Sequence, residues 1–110
     1  MKFTVNDDIV GVIATIHLSC KIITRHDSDL ARQIRRAICS VGLNAAEGLH
    51  ARGGNRTVRL ESAMNSGREV IFGMRIAGAV GYLPPERVRR EVDAVDRIIA
   101  ILYKLSRQPR

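Results

Sequence analysis

Apolar residues recur along most of this chain at intervals of three and four, the spacing of one face of an α-helix. In the first stretch Ile9, Ile13, Ile16, Cys20 and Ile23 follow the rhythm i, i+4, i+7, i+11, i+14, which predicts a helix over about 7–24 with Asn6 or Asp7 as its cap. The polar segment from Arg25 to Asp29 breaks it. Ser28 or Asp29 caps a second helix over about 29–50, with Leu30, Ile34, Ala37 or Ile38, Val41 and Ala45 inward, and Gly53-Gly54 ends it. A third helix over about 55–80 carries Val58, Leu60, Met64, Val70, Ile71, Met74 and Ala77 up to the break at Gly81 and Tyr82. Pro84-Pro85 sets the start of a fourth over about 85–106, since proline is tolerated in a first helical turn and excluded further in. Its stripe is Val88, Val92, Val95, Ile99 and Leu102, widened by Ile98, Ile101 and Leu105, and the tail Arg107–Arg110 is expected to fray. Short connections between helices of similar length predict antiparallel neighbours. The expected fold is all-α, an up-down-up-down four-helix bundle forming one domain over 1–110.

The apolar pattern exceeds what one bundle needs. Val10, Val12, Leu18 and Ile22 lie outside the main stripe of the first helix, and the fourth helix offers Ile98, Ile101 and Leu105. Surplus apolar surface on a helical domain predicts association, most simply a symmetric homo-oligomer. The core is aliphatic, because hydrophobic residues make up 45% of the chain while Trp is absent and Phe and Tyr number two each. Cys20 and Cys39 fall inside apolar patterns with no metal-ligand spacing, which reads as two buried free thiols of an intracellular, cytoplasmic protein. No signal peptide is expected, with Asp7 and Asp8 ahead of the first apolar stretch. That stretch is broken by Thr15, His17, Ser19 and Lys21, so a membrane span is not expected either.

The second helix has small and polar residues where bulky ones would be expected. Ser40, Asn44 and Glu47 recur at i, i+4 and i+7, and Ala37, Ala45, Ala46 and Gly48 allow a close neighbour. With Ser66 and Glu69 on the third helix, these residues read as buried polar groups that satisfy each other and fix helix register, with Arg35 or Arg36 as charge partners. Acid, amide and hydroxyl together suggest general acid-base chemistry, but no His stands where it could activate a serine, and no Gly-rich loop follows a strand to cradle phosphate. Glu47 and His50 match the Glu-x-x-His signature of di-metal bundles once only. Such a site needs two pairs, and Glu61, Glu69, Glu86 and Glu91 have no His three residues on. The sequence therefore predicts no enzyme, no metal and no cofactor.

Charge adds a partner. Eighteen basic residues against 11 acidic give a net charge of +7, and all the basic ones except Lys2, Lys21 and Lys104 are Arg, the side chain suited to bidentate contact with phosphate or carboxylate. A surplus of Arg can also reflect genome composition and serve solubility alone. Arg52, Arg56 and Arg59 fall at i, i+4 and i+7, and Arg68 and Arg75 are seven apart, so the third helix presents rows of guanidinium groups for a phosphate backbone. With few aromatics for base stacking and no recognition-helix motif, sequence-specific readout is not expected.

The residues Gln33-Ile-Arg-Arg-Ala, Ser40-Val, Asn44, Ala46-Glu47-Gly48, Arg52, Asn65-Ser66, Glu69, Ile76-Ala77 and Gly81-Tyr82-Leu83 together resemble the "four helix bundle protein" family. That family includes proteins encoded in intervening sequences of bacterial large-subunit rRNA genes and accessory proteins of diversity-generating retroelements. The resemblance runs from about Asp29 into the last helix. Two departures are Gly42, where many members have Pro and where Gly should loosen or bend the helix, and Glu69-Val70, which lacks a Leu-rich continuation. The resemblance implies a basic, barrel-like homopentamer without enzymatic activity. For the retroelement branch it implies binding of nucleic acid and of a reverse transcriptase. Two functions are therefore expected. One is a non-catalytic adaptor holding RNA or DNA without sequence specificity, through Arg52, Arg56, Arg59, Arg68 and Arg75. The other is an oligomeric protein-interaction scaffold of the rRNA intervening-sequence type, with an acidic protein partner and no nucleic-acid role.

Overall fold

A computed structural model describes residues 4–108. They form four α-helices and no strand: α1 Val5–Thr24, α2 Ser28–His50, α3 Gly53–Ala79 and α4 Pro85–Ser106. Pro109 and Arg110 of the tail expected to fray lie outside the described residues. The helix boundaries fall within two residues of the sequence expectation, and capping explains the shifts at the starts of α1 and α2. Thr4 caps α1 in a capping box, its hydroxyl accepting from the Asp7 N–H at 3.2 Å while the Asp7 carboxylate accepts from the Thr4 N–H at 3.0 Å. Asp7 thus completes the cap from the first turn. Asp27, one residue ahead of the expected candidates, accepts from the Leu30 N–H at 3.0 Å and starts α2. Gly53 opens α3 at φ +60°, in the left-handed region that a residue with Cβ avoids.

Each helix packs on the next in sequence, and α1 also touches α4. The longest, α3 with 27 residues, would run about 40 Å at 1.5 Å per residue, which matches the 44 Å long axis. At one end the two connections meet, His26 stacking on Tyr82 with ring centroids 4.9 Å apart. The tightest approach is between α2 and α3. A Cβ at Gly48 would lie 2.7 Å from Leu60 Cδ2, and one at Gly73 would lie 2.7 Å from Ile34 Cγ1. Helix α2 runs unbroken through Gly42, whose missing side chain admits Ile13 from α1.

The core is aliphatic as composition requires, with Ile16, Ile23, Ile34, Ile38, Leu60, Met74 and Leu102 among its largest buried side chains. The inward face of α4 is rotated from the expected stripe. Glu91, Val95, Ile98 and Leu102 are buried, while Val88 and Ile99 turn toward α3 over Gly78 and Gly67. The surplus seen on α4 is thereby largely absorbed within the chain, Ile98 being buried and Leu105 packed against the core. Apolar side chains that do remain exposed include Val10 and Leu18 on α1, Leu43 on α2, Val58, Phe72 and Ile76 on α3, Val80 just after α3, and Tyr103 on α4. Val58, expected inside, is 60% exposed. Arg56 takes the inward place, because the buried stripe of α3 runs 56, 60, 63, 67, 70, 74, 77.

Only one of the two thiols is buried. Cys20 lies in the core, where burial pushes its thiol up to about 11, opposed by the Arg35 guanidinium and aided to a lesser degree by the Glu91 carboxylate. Cys39 is exposed, with Sγ 3.8 Å from His17 Nε2, since position 39 falls on the outer side of α2 next to the buried Ile38.

Helices α1 and α4 are clasped by a buried polar cluster. Glu91 is 2% exposed, and Ser19 Oγ lies 2.7 and 2.6 Å from its two carboxylate oxygens. Arg87 Nη1 donates to Ser19 Oγ at 2.7 Å and lies 3.3 Å from Glu91 Oε2. A buried carboxylate needs such compensation, and removing it strands the hydroxyl and the guanidinium. Glu91→Ala is expected to cost about 2–4 kcal/mol in urea unfolding, and Glu91→Gln clearly less. Equal midpoints for Glu91→Ala and the parent would mean that the clasp contributes nothing.

Candidate functional site

The seam between α2 and α3 is polar along most of its length. Positions 33, 36, 40, 44 and 47 advance by three and four along α2, and 59, 66 and 69 do so at intervals of seven and three along α3, so each set keeps one side of its helix. At the end near the α2–α3 connection, Arg59 Nε pairs with Glu47 Oε2 at 3.1 Å, and Arg59 Nη1 donates to Asn44 Oδ1 at 3.4 Å. Asn44 Nδ2 in turn donates to Ser40 Oγ at 3.0 Å and to the Ser40 carbonyl at 3.1 Å. Ser40 Oγ and Ser66 Oγ share a hydrogen bond of 2.9 Å across the helices. Further along, Gln33, Arg36 and Glu69 border a cleft of about 410 Å³ floored by the two serines.

The structure thus gathers Arg36, Ser40, Asn44, Glu47, Ser66 and Glu69 into one band, but at its edge more than in its interior. Glu47 was expected to be buried with Arg35 or Arg36. It is instead 60% exposed and pairs with Arg59 from the facing helix, because position 47 lies at the solvent margin of α2. Arg35 reaches Thr24 Oγ1 at 3.4 Å. Glu69 is exposed, while Ser40, Asn44 and Ser66 are half-buried.

The five arginines proposed for phosphate contact do not form one surface. Nine residues separate Arg59 from Arg68, and at 100° per residue this places them on opposite sides of α3. Arg56 is 6% exposed and is no surface group. Its Nη1 donates to the carbonyls of Gly48 at 3.3 Å and Leu49 at 3.4 Å, and its Nη2 to that of Leu105 at 3.3 Å. These carbonyls end α2 and α4, so the guanidinium satisfies acceptors that helix termini leave open and sits at the negative ends of two helix dipoles. Its Nε has no partner among the described residues. Arg59 is half-exposed and ion-paired. Arg52 is exposed at the start of α3, and Arg68 donates to Asn65 Oδ1 at 3.0 Å while remaining exposed. Arg75 lines a groove between α3 and α4 together with Arg89, Asp93 and Asp96.

Among the described residues no three His, Cys, Asp or Glu side chains converge as a metal cage requires, and no helix is long and apolar enough to cross a membrane. Sequence reasoning missed Glu91 and the structural use of Arg56. Both signals were present, since Glu91 precedes Val95, Ile98 and Leu102 at i, i+4, i+7, i+11, and Arg56 precedes Leu60, Ala63 and Gly67 with the same rhythm.

This is an all-α, four-helix fold with a polar seam on its most closely packed pair. The chain superposes on a protein of unknown function from the S23 ribosomal protein family of Bacteroides thetaiotaomicron VPI-5482 with a TM-score of 0.88 and 18% identity, over 96% of this chain and 100% of the other. No protein-family model and no curated protein sequence matches the chain.

The seam yields a contrast in stability. Arg56→Met is expected to cost about 2–3 kcal/mol, because it removes the donors to three buried or half-buried carbonyls. Glu47→Ala is expected to cost less than about 1 kcal/mol, as befits an exposed pair. Thermal melts of the two variants check this, and a reversed order would mean that Glu47 is buried by assembly.

Proposed function

We propose that this protein is a basic, non-catalytic adaptor, a homopentamer of up-down-up-down bundles that holds nucleic acid through its phosphates, with a reverse transcriptase as candidate protein partner. The observation that carries the reading is the number of cations left without a counter-charge. Among the described basic residues only Arg32, Arg59 and Arg87 sit in ion pairs, with Asp29, Glu47 and Glu91. Arg36, Arg52, Arg68 and Arg75 are exposed, on a chain of net charge +7. Unpaired surface guanidiniums bind phosphate by counterion release, which needs no shaped site and follows the charge of the whole surface. The register of contacts supports the topology: Glu47 meets Arg59, Ser40 meets Ser66, and Gly73 meets Ile34. Assembly is supported by the exposed Val10 and Leu43, which border a groove of about 430 Å³ that is almost wholly apolar.

The scaffold reading draws on a different feature, the groove where Arg75 and Arg89 share space with Asp93 and Asp96, a mixed-charge surface suited to a protein partner.

Two measurements test these readings, the first their shared oligomer and the second the nucleic-acid role. Light scattering coupled to size exclusion is expected to give about five times the 12.2 kDa chain mass, and a mass near one chain removes the oligomer. Fluorescence anisotropy across a salt series is expected to show binding that weakens steeply with salt. Replacing Arg68 and Arg75 by Gln is expected to flatten the slope of log affinity against log salt by roughly one to two units. An intact oligomer that binds no oligonucleotide at low salt leaves the scaffold reading in front.

A further inference from the structure

The seam's polar groups are not all used up by one another. Arg36 on α2 and Glu69 on α3 are oppositely charged and border the same cleft with Gln33, above the Ser40–Ser66 hydroxyl pair. Yet none of Gln33, Arg36 and Glu69 has a side-chain hydrogen bond or ion pair among the described residues. Gln33 and Glu69 also border a second depression of about 160 Å³ on the same seam, walled by Leu30, Phe72 and Ile76. Phe72 there is 66% exposed. One continuous surface therefore offers an aromatic face, a carboxylate, an amide and a guanidinium, none of them engaged by another described residue.

We infer that this surface takes an unpaired guanine nucleotide within a single-stranded nucleic acid. The inference rests on the nucleic-acid reading above and adds to it a base preference that phosphate contacts alone do not supply. Unstacked bases are held on aromatic side chains and read along their pairing edges, and Phe72 provides the ring. A carboxylate only accepts hydrogen bonds. Guanine alone among the common bases presents two adjacent donors, N1–H and the N2 amino group, on its pairing edge, so Glu69 selects for it. The Gln33 amide can donate to the neighbouring O6, and Arg36 holds the adjoining phosphate. The scarcity of aromatics had argued against base stacking, but what matters is where they stand, and Phe72 stands exposed beside the free acceptor.

The test is fluorescence anisotropy with labelled oligouridines carrying one central guanosine, inosine or adenosine, repeated with the DNA equivalents. The guanosine strand is expected to bind roughly tenfold more tightly than the adenosine strand, with inosine, which lacks the N2 amino group, in between. Glu69→Gln is expected to remove most of that preference without weakening binding to plain oligouridine. Phe72→Ala is expected to weaken the guanosine strand by about five- to tenfold, with an unchanged far-UV CD melt. The Arg68 and Arg75 double variant is expected to lower all affinities and keep the guanosine to adenosine ratio. Salt-dependent binding with no preference in either RNA or DNA, or a preference that survives Glu69→Gln, overturns the inference and leaves the phosphate-binding reading standing. A parent protein that binds no strand at low salt overturns both.

Discussion

The close approach of α2 and α3 is the constraint from which most of this structure follows. Gly48 and Gly73 stand near the two ends of the contact, each where a Cβ would collide with a branched side chain of the facing helix. Because the backbones come this near, short side chains suffice to span the gap. Two serine hydroxyls meet directly at 2.9 Å, where bulkier residues would have forced the helices apart and opened the seam to water. The same proximity lets Arg56 reach back from α3 to the last carbonyls of α2. Helix α1 is held less closely, through Gly42 on one side and the Ser19–Glu91–Arg87 clasp on the other.

Among the described residues two charges are buried, and each is met in a different way. Glu91, near the start of α4, is compensated by a hydroxyl and by a guanidinium that remains partly solvated. Arg56 meets no carboxylate among the described residues, and its charge is balanced by carbonyls at the C-terminal ends of α2 and α4, where helix dipoles are negative. Placing a lone cation there avoids desolvating a second ion, the term that makes buried pairs costly. The consequence for function is a sorting of the arginines. Those on the inward stripe or beside an acid serve the fold, and those on the outward faces stay free to meet an external anion.

The polar seam joins these two themes. At its lower end Glu47, Arg59, Asn44 and the serines are linked in sequence, which fixes register. Toward its upper end the links stop, and Gln33, Arg36, Glu69 and Phe72 are left facing outward. A feature that serves packing over part of its length therefore leaves polar and aromatic side chains unengaged over the rest, and that part is the surface we propose for binding, with geometry set by the pair of helices beneath it.

The number of helices, their extents and the aliphatic character of the core were legible in the sequence, because apolar spacing, Pro84-Pro85 and the glycine pairs act locally and each helix carries its own period. That Ser40 and Asn44 share one side of α2 was legible for the same reason. What the sequence left open was rotation and exposure. On α4 two overlapping stripes, through Val88 and through Glu91, both have helical spacing, and on α3 Val58 competes with Arg56; apolar residues such as Phe72 and Ile76 on the outer side of α3 blur its inward face further. Periodicity assigns residues to a side of a helix but does not say which side meets which neighbour. Only the tertiary structure made that choice, because it depends on the glycine contacts that set interhelical distance and on whether a partner from another helix, such as Ser19 for Glu91 or the Leu105 carbonyl for Arg56, stands ready to satisfy a buried charge.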